Sequence, residues 1–340
     1  MISSLNSETK PRVLSGINPS SKKGLHLGNY FGAVKPHVEM QKTGECFYFV
    51  ANLHALNSIY DPTEVRDNTT NIFLEYIAFG IEPETTCLYV ESDVEAIPYL
   101  QTIFNNVLSV AELERMHGYK DKLANSVEQS QIGFGLFSYP VLMAADILCL
   151  NPDLVPVGED QAQHVEICRT IARRFNSRYP DHFQFKVPEA LIRKEVARVR
   201  GIDGVKKMSK SLGNDIPVFA SEAEIRKQIM RITTDPARIH ATDPGDPAKN
   251  ICFEYLQLLG FDAIKLIEMQ EQYRQGTIAD SKIKELLFGL FLEYFSKARA
   301  KKQELETNLD YIAQLRRSGA DRVNSYTTEL LQQVRVAVGV

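Results

Sequence analysis

Cations and hydroxyls crowd into one short stretch of this 340-residue chain, GIDGVKKMSKSLGN at residues 201–214. Lys207, Ser209, Lys210 and Ser211 stand together between glycines, and only Ile202, Val205, Met208 and Leu212 are apolar. The run is too polar for a core element. A second stretch, SGINPSSKKGLHLGNYFG, joins the first apolar run to the first helical pattern. In doubly wound folds that loop is where phosphates bind, because N–H groups at the helix start face the ligand and the helix dipole favours its charge. Gly28 lets the backbone approach a nucleotide closely, and His26 and Asn29 supply hydrogen-bond donors. The sequence holds no G-x-G-x-x-G and no Walker A, so neither dinucleotide binding nor a P-loop ATPase is supported. Taken alone, the second stretch reads first as a glycine-rich turn with a surface histidine, and the lysine-rich one equally as a solvated loop.

The elements that would position these residues follow from the pattern of apolar runs. PRVLSGI reads as a first strand and GNYFGAVKPHVEMQ as the helix after the loop. CFYFVANLHAL and TTCLYVES read as buried strands, rich in β-branched and aromatic residues and bounded by polar segments. FSYPVLMAADILCL has helical length, DLVPVG is a short strand, and EDQAQHVEICRTIARRF is helical again. This alternation predicts an α/β fold with a doubly wound parallel sheet. Beyond Ala220 almost everything reads as helix, opening with Ser221 and Glu224 at capping-box spacing. A boundary near residue 215 is expected, with an α/β domain over 1–215 and an α-helical domain over 216–340 whose last helix packs back on the first.

Composition bounds the partners. The formal net charge is −4, so RNA contact would need a local basic patch. The five cysteines are scattered without a C-x-x-C pair, which argues against a disulfide framework or a cysteine-rich zinc site. No run approaches the length of a membrane span, and the polar amino terminus lacks a signal peptide's apolar stretch. A reduced, cytoplasmic protein is the expectation, with no membrane partner and no residue assigned as a metal ligand.

An H-x-G-[HN] element on the first strand–helix loop, followed far downstream by K-M-S-K-S, resembles the two-part motif of class I aminoacyl-tRNA synthetases. The segments LSGINPS, FVANLHALN, YPVLMAADILCLNPDLVPVGEDQAQHVEICRTIARRFN and KKMSKS resemble the bacterial tryptophanyl branch more closely than its tyrosyl relatives. The likeness is strong over most of residues 12–214 and more diffuse beyond. It implies a Rossmann-like, HUP-type nucleotide-binding domain followed by a helical anticodon-binding domain. ATP and L-tryptophan would be substrates, Mg²⁺ a cofactor, tRNA(Trp) a partner, and the assembly a homodimer.

Carried over residue by residue, Asn18, Pro19, Ser20, Gly28 and Asn29 would line the ATP site. Gly158, Glu159 and Asp160 would meet the ribose and adenosine side, and Val199 the adenine. Lys207, Met208, Ser209, Lys210 and Ser211 would form the loop that clamps the triphosphate. Lys207, Lys210, His26 and Asn29 would be the catalytic set. Met143 and Asp146 would contact the indole, Gln161 the amino acid's polar end, and His54 the pocket wall or the core. Two departures touch the ATP contacts. The first loop carries two extra residues around Ser21–Lys23, and Asn18 stands where the common bacterial form has Gln.

Asp146 is informative from its context alone. It interrupts an apolar helical pattern with Leu142, Met143 and Leu150 on its face. A buried carboxylate needs a partner, which is either a core hydrogen bond or a substrate N–H. His164 and Glu166 fit a partly exposed helix. Candidate RNA patches are Arg173, Arg174 and Arg178, then Lys297, Arg299, Lys301 and Lys302, then Arg316, Arg317 and Arg322. Alternatives to tryptophan activation are tyrosine activation, a small nucleotidylyltransferase, and a non-enzymatic paralogue.

Overall fold

The computed structural model describes residues 10–116, 119–120, 133–158, 161–192 and 199–340. Five parallel strands form one sheet in the order β3-β2-β1-β4-β5. They are β1 (Arg12–Ile17), β2 (Glu45–Val50), β3 (Cys87–Val90), β4 (Leu154–Val157) and β5 (Glu189–Ile192). β1 pairs in register with β2 over its whole length, from Arg12 opposite Glu45 to Ile17 opposite Val50. The order reverses between β1 and β4, which places a crevice at the carboxyl ends of those strands.

Alternation along the strands shows that both faces are covered. Phe47, Phe49, Cys87 and Tyr89 join one core cluster, while Cys46, Tyr48, Val50, Leu88 and Val90 join another. This is the doubly wound, Rossmann-like arrangement that the βα alternation predicts. On the first face lie α5 (Ala96–Phe104), α7 (Phe134–Leu148), α8 (Ala162–Arg178) and the end of α13 (Leu309–Val338). On the second lie α4 (Pro62–Ala78) and the helical run α1 (Leu27–Asn29), a π turn (Tyr30–Val34) and α2 (Lys35–Met40).

One segment departs from the sequence pattern. CFYFVANLHAL is strand only as far as Val50; α3 (Asn52–Ala55) follows at once. The β-branched and aromatic run stops at Val50, and the Glu91 carboxylate, just past the end of the neighbouring strand β3, accepts N–H groups of α3, a cap from a residue 38 positions away. The short helix α6 (Val110–Leu113) lies between α5 and α7.

The carboxyl-terminal half is helical: α9 (Glu222–Met230), α10 (Cys252–Leu258), α11 (Ala263–Arg274), α12 (Asp280–Glu306) and α13. Its core also takes in Leu27 and Phe31 from the first helical run, and Ile202 and Met208 from the lysine-rich stretch. α13 lies along β3 so closely that a Cβ on Gly319 would sit 1.9 Å from the Leu88 carbonyl oxygen. Arg316 of α13 fastens the contact with two bonds to the Asp93 carboxylate, at 2.5 and 2.7 Å. No helix among the described residues is long and apolar enough to cross a membrane. All five cysteines are buried free thiols.

Candidate active site

His26 caps its own helix. Its Nδ1 accepts the Asn29 N–H at 3.2 Å, while the Asn29 Oδ1 accepts the His26 N–H at 3.2 Å. Nδ1 is thereby the acceptor, so the ring proton belongs on Nε2, where it can be donated. Burial, with Lys210 and Lys207 nearby, lowers the His26 pKa to about 3. The ring is therefore a neutral donor at physiological pH, and Asn29 keeps its side-chain amide N–H groups for a ligand.

The loop ahead of His26 is held from behind by α4. Asn68 donates to the Pro19 carbonyl at 3.1 Å, and Glu75 Oε2 accepts the Leu25 N–H at 2.6 Å. Gly24 adopts φ +65°, a left-handed conformation, with Glu75 packed where a Cβ would go. Asn18 and Ser20 are exposed on this loop and Pro19 is buried.

The lysine-rich stretch turns back on itself as a tight hairpin. Val199 accepts the Met208 N–H at 3.0 Å, and Gly201 donates to the Lys206 carbonyl at 2.7 Å. Asn214 fixes the far side, accepting the Ser209 N–H at 2.7 Å and donating to Asp203 Oδ2 at 2.7 Å. Gly201 gives it room, since a Cβ there would meet Asn214 at 2.2 Å. The two phosphate-type stretches, some 180 residues apart, are in contact. The Gly28 N–H points at Met208 Sδ at 3.3 Å, Leu27 donates to the Ile216 carbonyl at 2.9 Å, and Val218 donates to the Leu25 carbonyl at 3.1 Å. Lys207 is exposed. Lys210 is partly buried, and burial lowers its pKa against the opposing pull of Glu75 and Asp215. Ser209 and Ser211 share a hydroxyl hydrogen bond at 2.9 Å. The structure thus joins His26, Gly28 and Asn29 to Met208 and its flanking lysines in a cationic cradle with neutral donors.

A second constellation sits where β2 and β3 end. Asp146 of α7 is fully buried, and its Oδ2 lies 2.9 Å from His54 Nε2. Its Oδ1 is buried without a hydrogen-bond partner. Burial drives the Asp146 pKa up and that of His54 down. Met143, one turn earlier on α7, is partly buried against the core. Gly158 is exposed at the end of β4, and Gln161 precedes α8 with its N–H on the Gly158 carbonyl at 2.9 Å. Glu159 and Asp160 lie outside the described residues.

Sequence reasoning misses four members of this neighbourhood. Glu91 is fully buried beside Asp146, and Glu75 anchors the first loop. Asp215 is fully buried with neither carboxylate oxygen hydrogen-bonded. Tyr139 donates to or accepts from His164 Nε2 at 2.6 Å. His164 is accordingly 7% exposed, on the inner side of a partly exposed helix whose Glu166 is exposed. The available signal for Glu91 is its place directly after a buried strand, at the edge where ligands bind.

The chain as a whole is similar to known proteins. The family described as tRNA synthetases class I (W and Y) matches residues 6–296. This chain belongs to that family. Among relatives of the synthetase, the tryptophan–tRNA ligase of Fusobacterium nucleatum subsp. nucleatum is 40% identical over 329 residues, covering 97% of this chain and 98% of that protein. The crystal structure of tryptophanyl-tRNA synthetase from Campylobacter jejuni complexed with ADP and tryptophan superimposes with a TM-score of 0.88 at 38% identity, covering 97% of this chain and all of the other. A tyrosyl-tRNA synthetase from Archaeoglobus fulgidus shares the fold, with a TM-score of 0.64 at 20% identity.

Several basic residues of the synthetase are committed to its own structure. Arg174 makes two bonds to Glu112 at 2.8 and 2.7 Å, Arg299 donates to the Val218 and Ala220 carbonyls, and Lys302 pairs with Glu75 at 3.0 Å. Arg316 is likewise bonded to Asp93, Arg178 donates to the Asn106 carbonyl and Lys301 pairs with Glu304, so members of all three candidate RNA patches have partners within the chain. Arg173, Lys297 and Arg317 remain exposed.

Proposed function

We propose that the synthetase is a tryptophan–tRNA ligase. It activates L-tryptophan with ATP to an enzyme-bound tryptophanyl-adenylate and pyrophosphate, then transfers the tryptophanyl group to the terminal adenosine of tRNA(Trp). The observation that carries this reading is the unpartnered, buried Asp146 Oδ1 at the carboxyl edge of the sheet, an acceptor suited to the indole N–H. The similarity to the Campylobacter jejuni enzyme, whose structure holds ADP and tryptophan, supports the same substrates here.

The substrate carboxylate attacks the α-phosphorus of ATP and pyrophosphate leaves. A carboxylate is already a nucleophile, so the chain supplies positioning and charge stabilisation and no general base. His26 Nε2–H and the Asn29 amide donate to the phosphate chain. Lys207 and Lys210 meet the charge that moves onto pyrophosphate. Asn18, Pro19, Ser20 and Gly28 line the nucleotide from the first loop, Gly158 and Val199 lie on its adenosine side, and Met143, His54 and Gln161 enclose the amino acid.

Among the described residues, the group of three side chains able to hold an ion is His54, Glu91 and Asp146, which belongs to the amino-acid pocket. Mg²⁺ would be carried by the phosphates of ATP and water, its usual ligands. Bound there, it supplies positive charge opposite the leaving pyrophosphate. The helices beyond residue 215 serve as the anticodon-binding domain, and the molecule acts as a cytoplasmic two-fold homodimer. Sedimentation of a monomer at micromolar concentration would contradict the dimer.

The reading is tested by amino-acid-dependent exchange of pyrophosphate into ATP, run with tryptophan and with tyrosine. Exchange with tryptophan is expected; exchange with tyrosine alone, or with neither, would overturn it.

A further inference from the structure

Glu91 takes no part in the chemistry above, yet it is enclosed beside the amino-acid pocket at 0% exposure. Its Oε2 accepts the Leu53 N–H at 2.8 Å and the His54 N–H at 3.4 Å, which ties it to the start of α3. Its Oε1 is buried without a hydrogen-bond partner, 3.8 Å from His54 Nε2. Asp146 mirrors this arrangement, with Oδ2 on His54 and Oδ1 unpartnered. One ligating atom from each of the three residues lies within 4.8 Å of the other two.

Two carboxylates this close in a low-dielectric site cannot both hold a charge. His54 does not supply the missing cation, because burial lowers its pKa. The other groups facing the pair are Tyr89 from β3 and Cys149 from α7, and burial pushes both up, so neither is ionised near neutrality. Burial, reinforced by Asp146, pushes Glu91 up to about 9. A proton on the pair is the remaining way to balance it.

We propose that Glu91 is a positioning residue for tryptophan recognition: one proton shared between Glu91 and Asp146 leaves the pair a single negative charge and aims an Asp146 oxygen at the indole N–H. The Glu91 O–H donates to the Asp146 carboxylate, whose oxygens each carry a second lone pair, so acceptor capacity remains for the indole N–H. Because Glu91 is fixed by the first turn of α3, the strand end, the helix and the substrate contact are held in one register. The proposal rests on the pocket reading given above.

The test compares Glu91→Gln, Glu91→Leu and Asp146→Ala in tryptophan-dependent pyrophosphate exchange. Glu91→Leu removes a charge-assisted hydrogen bond and should raise KM for tryptophan about 10- to 100-fold with kcat little changed. Glu91→Gln keeps an N–H donor for Asp146 and an acceptor for α3, and should stay within about threefold of wild type at neutral pH. As pH rises through about 9 the wild-type pair loses its proton, so its kcat/KM should fall relative to Glu91→Gln. The ratio cancels titration of the substrate and of the clamp lysines. Without substrate, the infrared difference between wild type and Glu91→Gln at neutral pH should contain the C=O band of a protonated carboxylic acid. Wild-type KM in Glu91→Leu alongside a damaged Asp146→Ala would overturn this proposal alone, as would a missing infrared band. Wild-type KM in Asp146→Ala would overturn the pocket reading first. A divalent cation copurifying stoichiometrically on the three residues would also overturn it, because the ion would take the proton's place.

Discussion

Replacing Lys302 with methionine should weaken the fold and the loop between β1 and α1 together. Lys302 Nζ donates to Glu75 Oε1 at 3.0 Å, and the two side chains are only 11% and 1% exposed, so water screens little of the pair. Glu75 in turn holds the Leu25 N–H at 2.6 Å, one residue before His26. Methionine keeps the apolar stem of the lysine but leaves the carboxylate uncompensated, which costs about 3–5 kcal/mol. The ammonium also lies 4.9 Å from the Phe219 ring, a contact worth about 0.5–2 kcal/mol. Two effects limit the loss. Asn71 still donates to Glu75 Oε1 at 3.0 Å, and burial already raises the Glu75 pKa, so the group can take up a proton. A net loss of about 3 kcal/mol at neutral pH is expected. A carboxyl whose folded pKa is raised contributes stability below its unfolded pKa and loses it as pH rises. The deficit of Lys302→Met should therefore shrink in acid and grow toward neutrality. Adding Glu75→Gln should restore most of it, because the amide needs no cation and its oxygen still accepts the Leu25 N–H. Urea unfolding of the two single variants and the double variant measures this, with KM for ATP as the readout of the loop. A Lys302→Met stability within about 1 kcal/mol of wild type, or a double variant no better than that single variant, would refute the reasoning.

Lys210→Ala should slow adenylate formation by about 10²–10³-fold in pyrophosphate exchange while tryptophan binding by calorimetry stays nearly unchanged, since the lysine acts on charge that develops in the transition state. His26 gives a pH dependence of defined sign: its folded pKa of about 3 lies below the ordinary 6.5, so stability is full above 6.5 and is lost as pH falls toward 3. His26→Gln should flatten that part of the stability profile, as urea melts across the window would show. Gly319→Ala puts a methyl 1.9 Å from the Leu88 carbonyl oxygen and must push α13 off β3. The same melts should record a loss of about 1–3 kcal/mol.

The two stretches proposed to hold the phosphates stood out in the sequence because their residues are local. Lys207, Ser209, Lys210 and Ser211 are contiguous, and His26, Gly28 and Asn29 lie on one turn, so residue type and spacing carry the signal. Asp146 was legible for a related reason, as a carboxylate breaking an apolar helix face. Glu91 was not, because its neighbours Asp146 and His54 come from other elements and its cap on α3 comes from the end of the neighbouring strand. The same long-range cap explains why CFYFVANLHAL reads as one strand although α3 begins at Asn52. β5 is hard to read because EALI is four residues with an exposed, half-buried, half-buried, exposed pattern, too short to show alternation. The basic residues show the same limit. Arg174, Arg299, Lys302 and Arg316 look free in sequence, and their partners Glu112, the Val218 carbonyl, Glu75 and Asp93 are named only by the fold.

The central claim is that Asp146 selects tryptophan by its indole N–H. A pocket built around one substrate N–H rejects an analogue lacking it by roughly 10⁴–10⁵-fold, because the acceptor is otherwise left buried and unpaired. The direct measurement is kcat/KM for tryptophan and for phenylalanine in pyrophosphate exchange, for wild type, Asp146→Asn and Asp146→Ala, with unfolding curves alongside. The account predicts folded variants, a large loss for tryptophan in Asp146→Ala, a smaller loss or a gain for phenylalanine, and Asp146→Asn in between. Equal losses for both amino acids, or a variant that no longer folds, would make Asp146 a structural residue and contradict the claim.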